Sequence, residues 1–193
     1  FTQTWRRKVS TTCSPLAANM VRTARPRRTR RGSRRSTALL GAAPPRNELD
    51  RALDLLAEQG YPHLLRVWNY LPGINLGEGD RERYRQFNLG RARAFEERFG
   101  AEGADWRAPA SSAVGTPGGE LRTYFLASRG PVIQLENPRQ VPAHRYPLRY
   151  GPRAPSFSRA ALVVDERGCS FFLSGTASLV GHESVHGESL AAI

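Results

Sequence analysis

RYPLRYGPRAPSFSRA (residues 145–160), ALVVDERGCSFFL (161–173) and SGTASLVGHESVH (174–186) follow one another without a break, and their reading decides the fold. Pro147, Pro152 and Pro155 fix φ, and Gly151 permits a backbone approach that a side chain would block, so the first block is stiff. It presents Tyr146 and Tyr150, each an apolar ring with a polar tip, and the guanidinium forks of Arg145, Arg149, Arg153 and Arg159, whose geometry suits carboxylates. The second block reads as two short apolar strands, 160–164 and 170–173, joined by a hairpin turn at Glu166, Arg167 and Gly168. The third then leaves a strand end, where Ser174, Gly175 and Thr176 offer hydroxyls and backbone N–H groups to an oxyanion. Two readings stay open on spacing alone: a pocket for an anionic small molecule, or an exposed proline-rich connection whose arginines are solvated.

Upstream, residues 47–59 carry Leu49, Leu53 and Leu56 at helical spacing, and Gly60 and Pro62 end the pattern. Residues 63–71 suit a buried strand. A loop at 73–80 follows; its Gly77 and Gly79 do not sit between a strand and a helix, so no phosphate-binding role is assigned. The spacing of Tyr84, Phe87, Phe95 and Phe99 predicts a helix over 81–99, most of whose arginines face solvent. Beyond Trp106, strands are expected at 110–116 and 121–127, with Gly118 and Gly119 as a hairpin turn between them, and LENPRQVPAH (135–144) as a crossing. The class is α/β in the mixed, α+β sense.

Charge divides the chain unevenly. Residues 1–45 hold 11 Lys or Arg and no Asp or Glu, so the other 148 residues carry 18 basic against all 17 acidic residues. The isoelectric point near 11 therefore describes the N-terminal stretch. Residues 1–45 lack a repeating apolar face, and RPRRTRRGSRR (25–35) has the like-charge density that keeps a chain disordered, so a disordered tail is expected over 1–45. A nucleic-acid arm, an Arg-rich transit peptide and out-of-frame sequence from a GC-rich gene all fit residues 1–45, although the basic run lacks interleaved aromatics to stack on bases. Cys13 and Cys169 show no paired spacing, which argues against a disulfide framework or a zinc ribbon. No apolar stretch approaches the ~18 residues of a membrane span, and a reducing cytoplasm is the default expectation. His182, Glu183 and His186 spell H-E-x-x-H, which on a helix would hold zinc. Gly181 and Gly187 flank the motif and weaken a helix there, so no metal site is expected.

VWNYLPGIN, RYRQFNLGRARAFEERF, ASSAVGT, LENPRQVPAHRYPLRYGPRAPSFSRA and SGTASLVGHES together resemble the chorismatase family, which includes pteridine-dependent deoxygenase-like proteins. The resemblance covers roughly residues 47–193. It implies a pair of RidA (YjgF)-like units: 46–130 as the second half of one, 131–155 as linker and pocket lining, and 156–193 as the first half of the next. It also implies cofactor-free hydrolysis of chorismate to pyruvate and a dihydroxycyclohexadiene carboxylate or hydroxybenzoate, in aromatic secondary metabolism. Tyr146, Tyr150, Arg153, Gly175 and Thr176 would then bind the dicarboxylate, with Arg85 and Arg91 near the interface between units. By the same resemblance the catalytic glutamate lies in a closing strand of the second unit, outside these residues, which leaves Glu183 as a substitute and an inactive fragment as the expectation. The abrupt start of family-like sequence near Asn47 favours the out-of-frame origin of residues 1–45. The rival reading is a non-catalytic binding or assembly module that self-associates through incomplete sheet edges.

Overall fold

The computed structural model describes residues 20–22, 48–100, 107–166 and 168–185. Trp106, His186 and nearly all of the basic stretch lie outside the described residues.

α1 (Glu48–Glu58) buries Ala52, Leu53 and Leu56, as its leucine spacing predicts. It closes where the Tyr61 N–H returns to the Leu56 carbonyl at 2.8 Å, with Gly60 at φ 79°, a backbone that glycine takes without strain. β2 (His63–Pro72) follows, then a 3-10 turn at Gly79–Arg81 and α2 (Arg83–Phe99). α2 ends at Gly100, whose N–H caps Glu96 at 2.8 Å with φ 76°. Leu53, Leu56, Tyr61, Leu64, Val67, Phe95 and Phe125 form one core between the helices and the sheet. Full burial of a Phe is worth about 2–3 kcal/mol, so the fully buried Phe95 and Phe125 anchor that layer.

β3 (Ala110–Thr116) and β4 (Arg122–Ser128) do not pair as the expected hairpin. β2 lies between them, parallel to β3 and antiparallel to β4. The reason is burial. Within β2 only Tyr70 is exposed, so this strand belongs at the centre with a neighbour on each side. Residues 117–121 are long enough to step over one strand, a distance of about 10 Å. β1 (Met20–Arg22) pairs antiparallel with the outer edge of β4, through register partners Tyr124, Phe125 and Leu126. These three residues fall inside the stretch expected to lack structure; an open strand edge recruits backbone whatever the net charge of the segment supplying it.

The second sheet is β5 (Ile133–Leu135), β6 (Ala160–Asp165) and β7 (Gly168–Leu173), in the order β5-β6-β7. The β6–β7 hairpin is the one read from sequence, with Asp165 opposite Gly168. β5 comes from the stretch expected to be linker, because Ile133, Gln134 and Leu135 pair with Leu162, Ala161 and Ala160. Leu65, on the face of β2 away from the helices, joins Ala110, Ala161 and Val163 in a second core, so helices, first sheet and second sheet form three layers. β8 (Leu179–Val180) and β9 (Glu183–Ser184) make a small ribbon. Glu183 and Ser184 thus lie in a strand, whereas the H-E-x-x-H zinc arrangement requires a helix.

Candidate functional site

The two sheets meet at a polar seam. Ala110 at the start of β3 bridges Ser158, and Ser158 N–H donates to the Pro109 carbonyl at 3.1 Å. Across the same seam Ser111 N–H donates to Ser174 Oγ at 2.7 Å, and Ser174 Oγ donates to the Ser158 carbonyl at 2.5 Å. Gly175 N–H, expected to be free for an oxyanion, is taken by the Ser111 carbonyl at 3.1 Å and by Ser112 Oγ at 3.0 Å. The strand exit has continued as ladder to β3, which uses up the donors. A Cβ at Gly175 would stand 2.8 Å from Ser112 Oγ, so the close approach itself demands glycine. Behind the seam, Arg66 donates to the Val67 carbonyl and to Ser112 Oγ and stacks on Trp68, while Asn69 Nδ2 reaches Ser111 Oγ and the Ser112 carbonyl.

From the stiff segment 145–159, Tyr146, Arg149 and Tyr150 turn toward His182 and Glu183 at the β8–β9 ribbon. Tyr146, Tyr150 and His182 form a ring cluster, with centroids 5.7 Å apart for Tyr146–Tyr150 and for Tyr150–His182. Arg149 Nη2 lies 3.0 Å from Tyr150 Oη, His182 Nδ1 and Glu183 Oε1, and the Tyr150 hydroxyl donates to the His182 carbonyl at 3.0 Å. Its hydrogen bonds to Tyr150 and then Glu183 raise the Arg149 pKa above its ordinary value. Glu183, the substitute acid of the sequence reading, is 69% exposed and occupied by this ion pair.

Beside the cluster, Arg159 is buried. Its Nη2 donates to Tyr146 Oη at 2.6 Å and to the Val141 carbonyl at 2.9 Å, while Nε stands 4.0 Å from Glu136 Oε2. Burial pushes the Glu136 carboxyl above its usual range, against the opposing pull of Arg159. Arg159, Glu136, Gln140, Phe171, Leu173 and Thr176 line an open groove of about 530 Å³ along the second sheet. Thr176 is exposed there, as its predicted role requires.

The other expected residues are placed differently. Arg153 is ion-paired with Glu96 of α2. Arg85 pairs with Asp80 and Glu82, and its stem packs on Gly151, where a Cβ would meet Arg85 Cγ at 3.2 Å with φ at 145°. Arg91 is buried in the first sheet's core, donating Nη1 to Ser111 Oγ at 3.0 Å. Glu136 escaped the sequence reading because a lone Glu in a turn-rich crossing carries no signal. Arg66 and Asn69 did carry one: two polar residues inside the apolar run LLRVWNYL.

The groove sets one buried arginine, Arg159, beside Glu136, Gln140 and Thr176. Residues 38–127 match the family model of the chorismatase FkbO/Hyg5-like N-terminal domain, so family sequence begins inside the stretch expected to be foreign. A chorismatase of Streptomyces rapamycinicus is 46% identical over 143 residues, covering 72% of this chain and 42% of that protein. A 3-hydroxybenzoate synthase of Streptomyces hygroscopicus is 45% identical over 140 residues, covering 69% and 40%. A chorismatase crystal structure superposes with a TM-score of 0.65 at 41% identity, over 72% of this chain and 41% of that one. The chain belongs to the chorismatase family. It spans about two fifths of the length of the curated relatives it matches.

Proposed function

We propose that the chain supplies chorismate-binding surface to a chorismatase-type reaction, the release of pyruvate from chorismate in secondary metabolism, in the cytoplasm. The observation that carries this reading is the buried Arg159, oriented by Tyr146 and the Val141 carbonyl in a groove that also offers Thr176 and Gln140. A guanidinium fixed by two acceptors meets a carboxylate with little further ordering cost. Tyr150 and Arg149 extend the recognition surface at the rim, and Gly175 acts by letting β3 approach.

Enol-ether cleavage also needs an acid aimed at the methylene carbon. Glu183 is exposed and held by Arg149, a poor position for proton delivery. Among the described residues Glu136 is the one carboxylate lining the groove, and it faces Arg159, which suits orienting that cation. The proton donor is therefore assigned to neither, and the chain on its own is expected to bind chorismate without releasing pyruvate.

Calorimetric titration with chorismate, alongside a coupled pyruvate assay, tests both halves. Saturable binding that Arg159→Met weakens by about tenfold or more supports the reading; absent binding overturns it. Pyruvate release lost in Glu136→Gln would assign the acid to the groove, and release lost in Glu183→Gln would assign it to the rim.

An assembly role has one observation in its favour. Among the described residues β7 is an edge strand, with Phe171 and Leu173 exposed at 53% and 63%, and its sequence GCSFFL carries no charged side chain. If that edge mediates self-association, Phe171→Lys should convert a concentration-dependent oligomer to monomer by light scattering.

A further inference from the structure

A cavity of about 70 Å³ lies between the helices and the first sheet. Leu49 of α1, Phe87 and Phe95 of α2, and Val67 and Phe125 of the sheet make its apolar wall. Arg91 also lines it, at 6% exposure, with its guanidinium carbon 5.3 Å from the Phe95 ring centre and 6.0 Å from that of Phe87. Nη1 is bonded to Ser111 Oγ, whereas Nη2 has no hydrogen-bond partner among the described residues. Burial lowers the Arg91 pKa to about 10, which leaves it cationic at neutral pH. The nearby Tyr84 phenol and Arg66 guanidinium do not neutralise it there. A buried cation facing apolar walls with one unpaired nitrogen is costly unless an anion or polar group meets it.

We propose that this cavity binds a small carboxylate of two or three carbons, its oxygens on Arg91 Nη2 and its alkyl end against Phe87, Phe95 and Val67. Size sets the limit: 70 Å³ exceeds the ~10–15 Å³ that a single water needs and is about half the ~150 Å³ of a cavity that takes benzene, which suits acetate or propionate. The lining sets the chemistry. A tetrahedral oxyanion needs donors on every side, and here Asn69 Nδ2 is already committed to Ser111 Oγ and the Ser112 carbonyl, and the Thr123 hydroxyl to Asn69 Oδ1. An ion with one polar and one apolar end matches one donor and an apolar wall. Entry is past Leu121, which lines the cavity and is 42% exposed. The proposal is independent of the chorismate reading, since none of these residues lines the Arg159 groove.

Titration of the full chain with acetate and propionate, at constant ionic strength against sodium chloride, is the test, read by ligand-observed NMR and calorimetry. One saturable site is expected for acetate and propionate, with benzoate failing to compete because it is too large. Arg91→Met should weaken Kd by about tenfold or more. Should that variant not fold, Val67→Ile decides the matter: it keeps strand propensity and adds one methyl into the cavity, so binding should be lost while the unfolding transition is retained. Chloride competing as well as acetate, no saturable acetate binding, or acetate affinity unchanged in Val67→Ile would each overturn the proposal.

Discussion

Ser174→Ala tests the seam that joins the two sheets. The hydroxyl accepts from Ser111 N–H at 2.7 Å and donates to the Ser158 carbonyl at 2.5 Å, and both Ser111 and Ser158 are 3% exposed. Two hydrogen bonds at a net ~0.5–1.5 kcal/mol each are lost, and a buried donor and acceptor are stranded, at ~1–3 kcal/mol each when fully dry. Ser174 itself is half-buried, so water entering at its position recovers much of the second cost. The expected loss is about 2 kcal/mol. In a chain of this size ~1 kcal/mol moves Tm by about 2–4 °C, so the midpoint should fall by about 4–8 °C. Thr176→Ala, two residues on and exposed, is the control and should stay within about 0.5 kcal/mol of the parent. Urea unfolding measures the stability, and hydrogen exchange at the Ser111 amide reports the bond itself. A Ser174→Ala chain indistinguishable from Thr176→Ala, with Ser111 still protected, would refute the claim that this hydroxyl ties the sheets.

Glu136→Gln addresses the buried carboxyl. Because burial raises its folded pKa above the ordinary 4.5, the fold favours the protonated form. That contribution is complete below 4.5 and is lost as pH rises through the raised folded value, so the Gln variant should match the parent in acid and exceed it toward neutrality in a pH series of thermal melts; a parent that gains stability over that range relative to the variant contradicts the assignment. Gly151→Ala places a Cβ 3.2 Å from Arg85 Cγ at a φ of 145° and should cost about 1–3 kcal/mol, with chorismate affinity falling as the 145–159 segment shifts. Arg153→Ala breaks a half-exposed pair with Glu96 and should cost under about 1 kcal/mol; a tenfold loss of chorismate affinity in that variant would return Arg153 to the site.

Local pattern made the β6–β7 hairpin, α1, α2 and β2 legible, because each is encoded within its own residues: an apolar period, a glycine stop, a turn between two apolar runs. The placement of β2 between β3 and β4 was not. Strands adjacent in sequence with a glycine turn look like a hairpin whether or not a third strand separates them, and only comparative burial distinguishes the cases. Arg153 and Arg91 show the same limit for the site. Their type suggests anion binding, but their sequence does not show that Arg153 pairs with Glu96 on a distant helix, or that Arg91 is buried against Ser111 on β3, so that neither lines the Arg159 groove. The useful clue lay in the composition of β2. A strand buried on both faces tolerates Arg66 and Asn69 only where other elements present acceptors and donors, and Ser111 and Ser112 supply them. Polar residues inside an apolar strand therefore mark where a second polar surface must dock. Here that surface is the start of β3, and through Ser174 and Gly175 it carries the second sheet and the Arg159 groove with it.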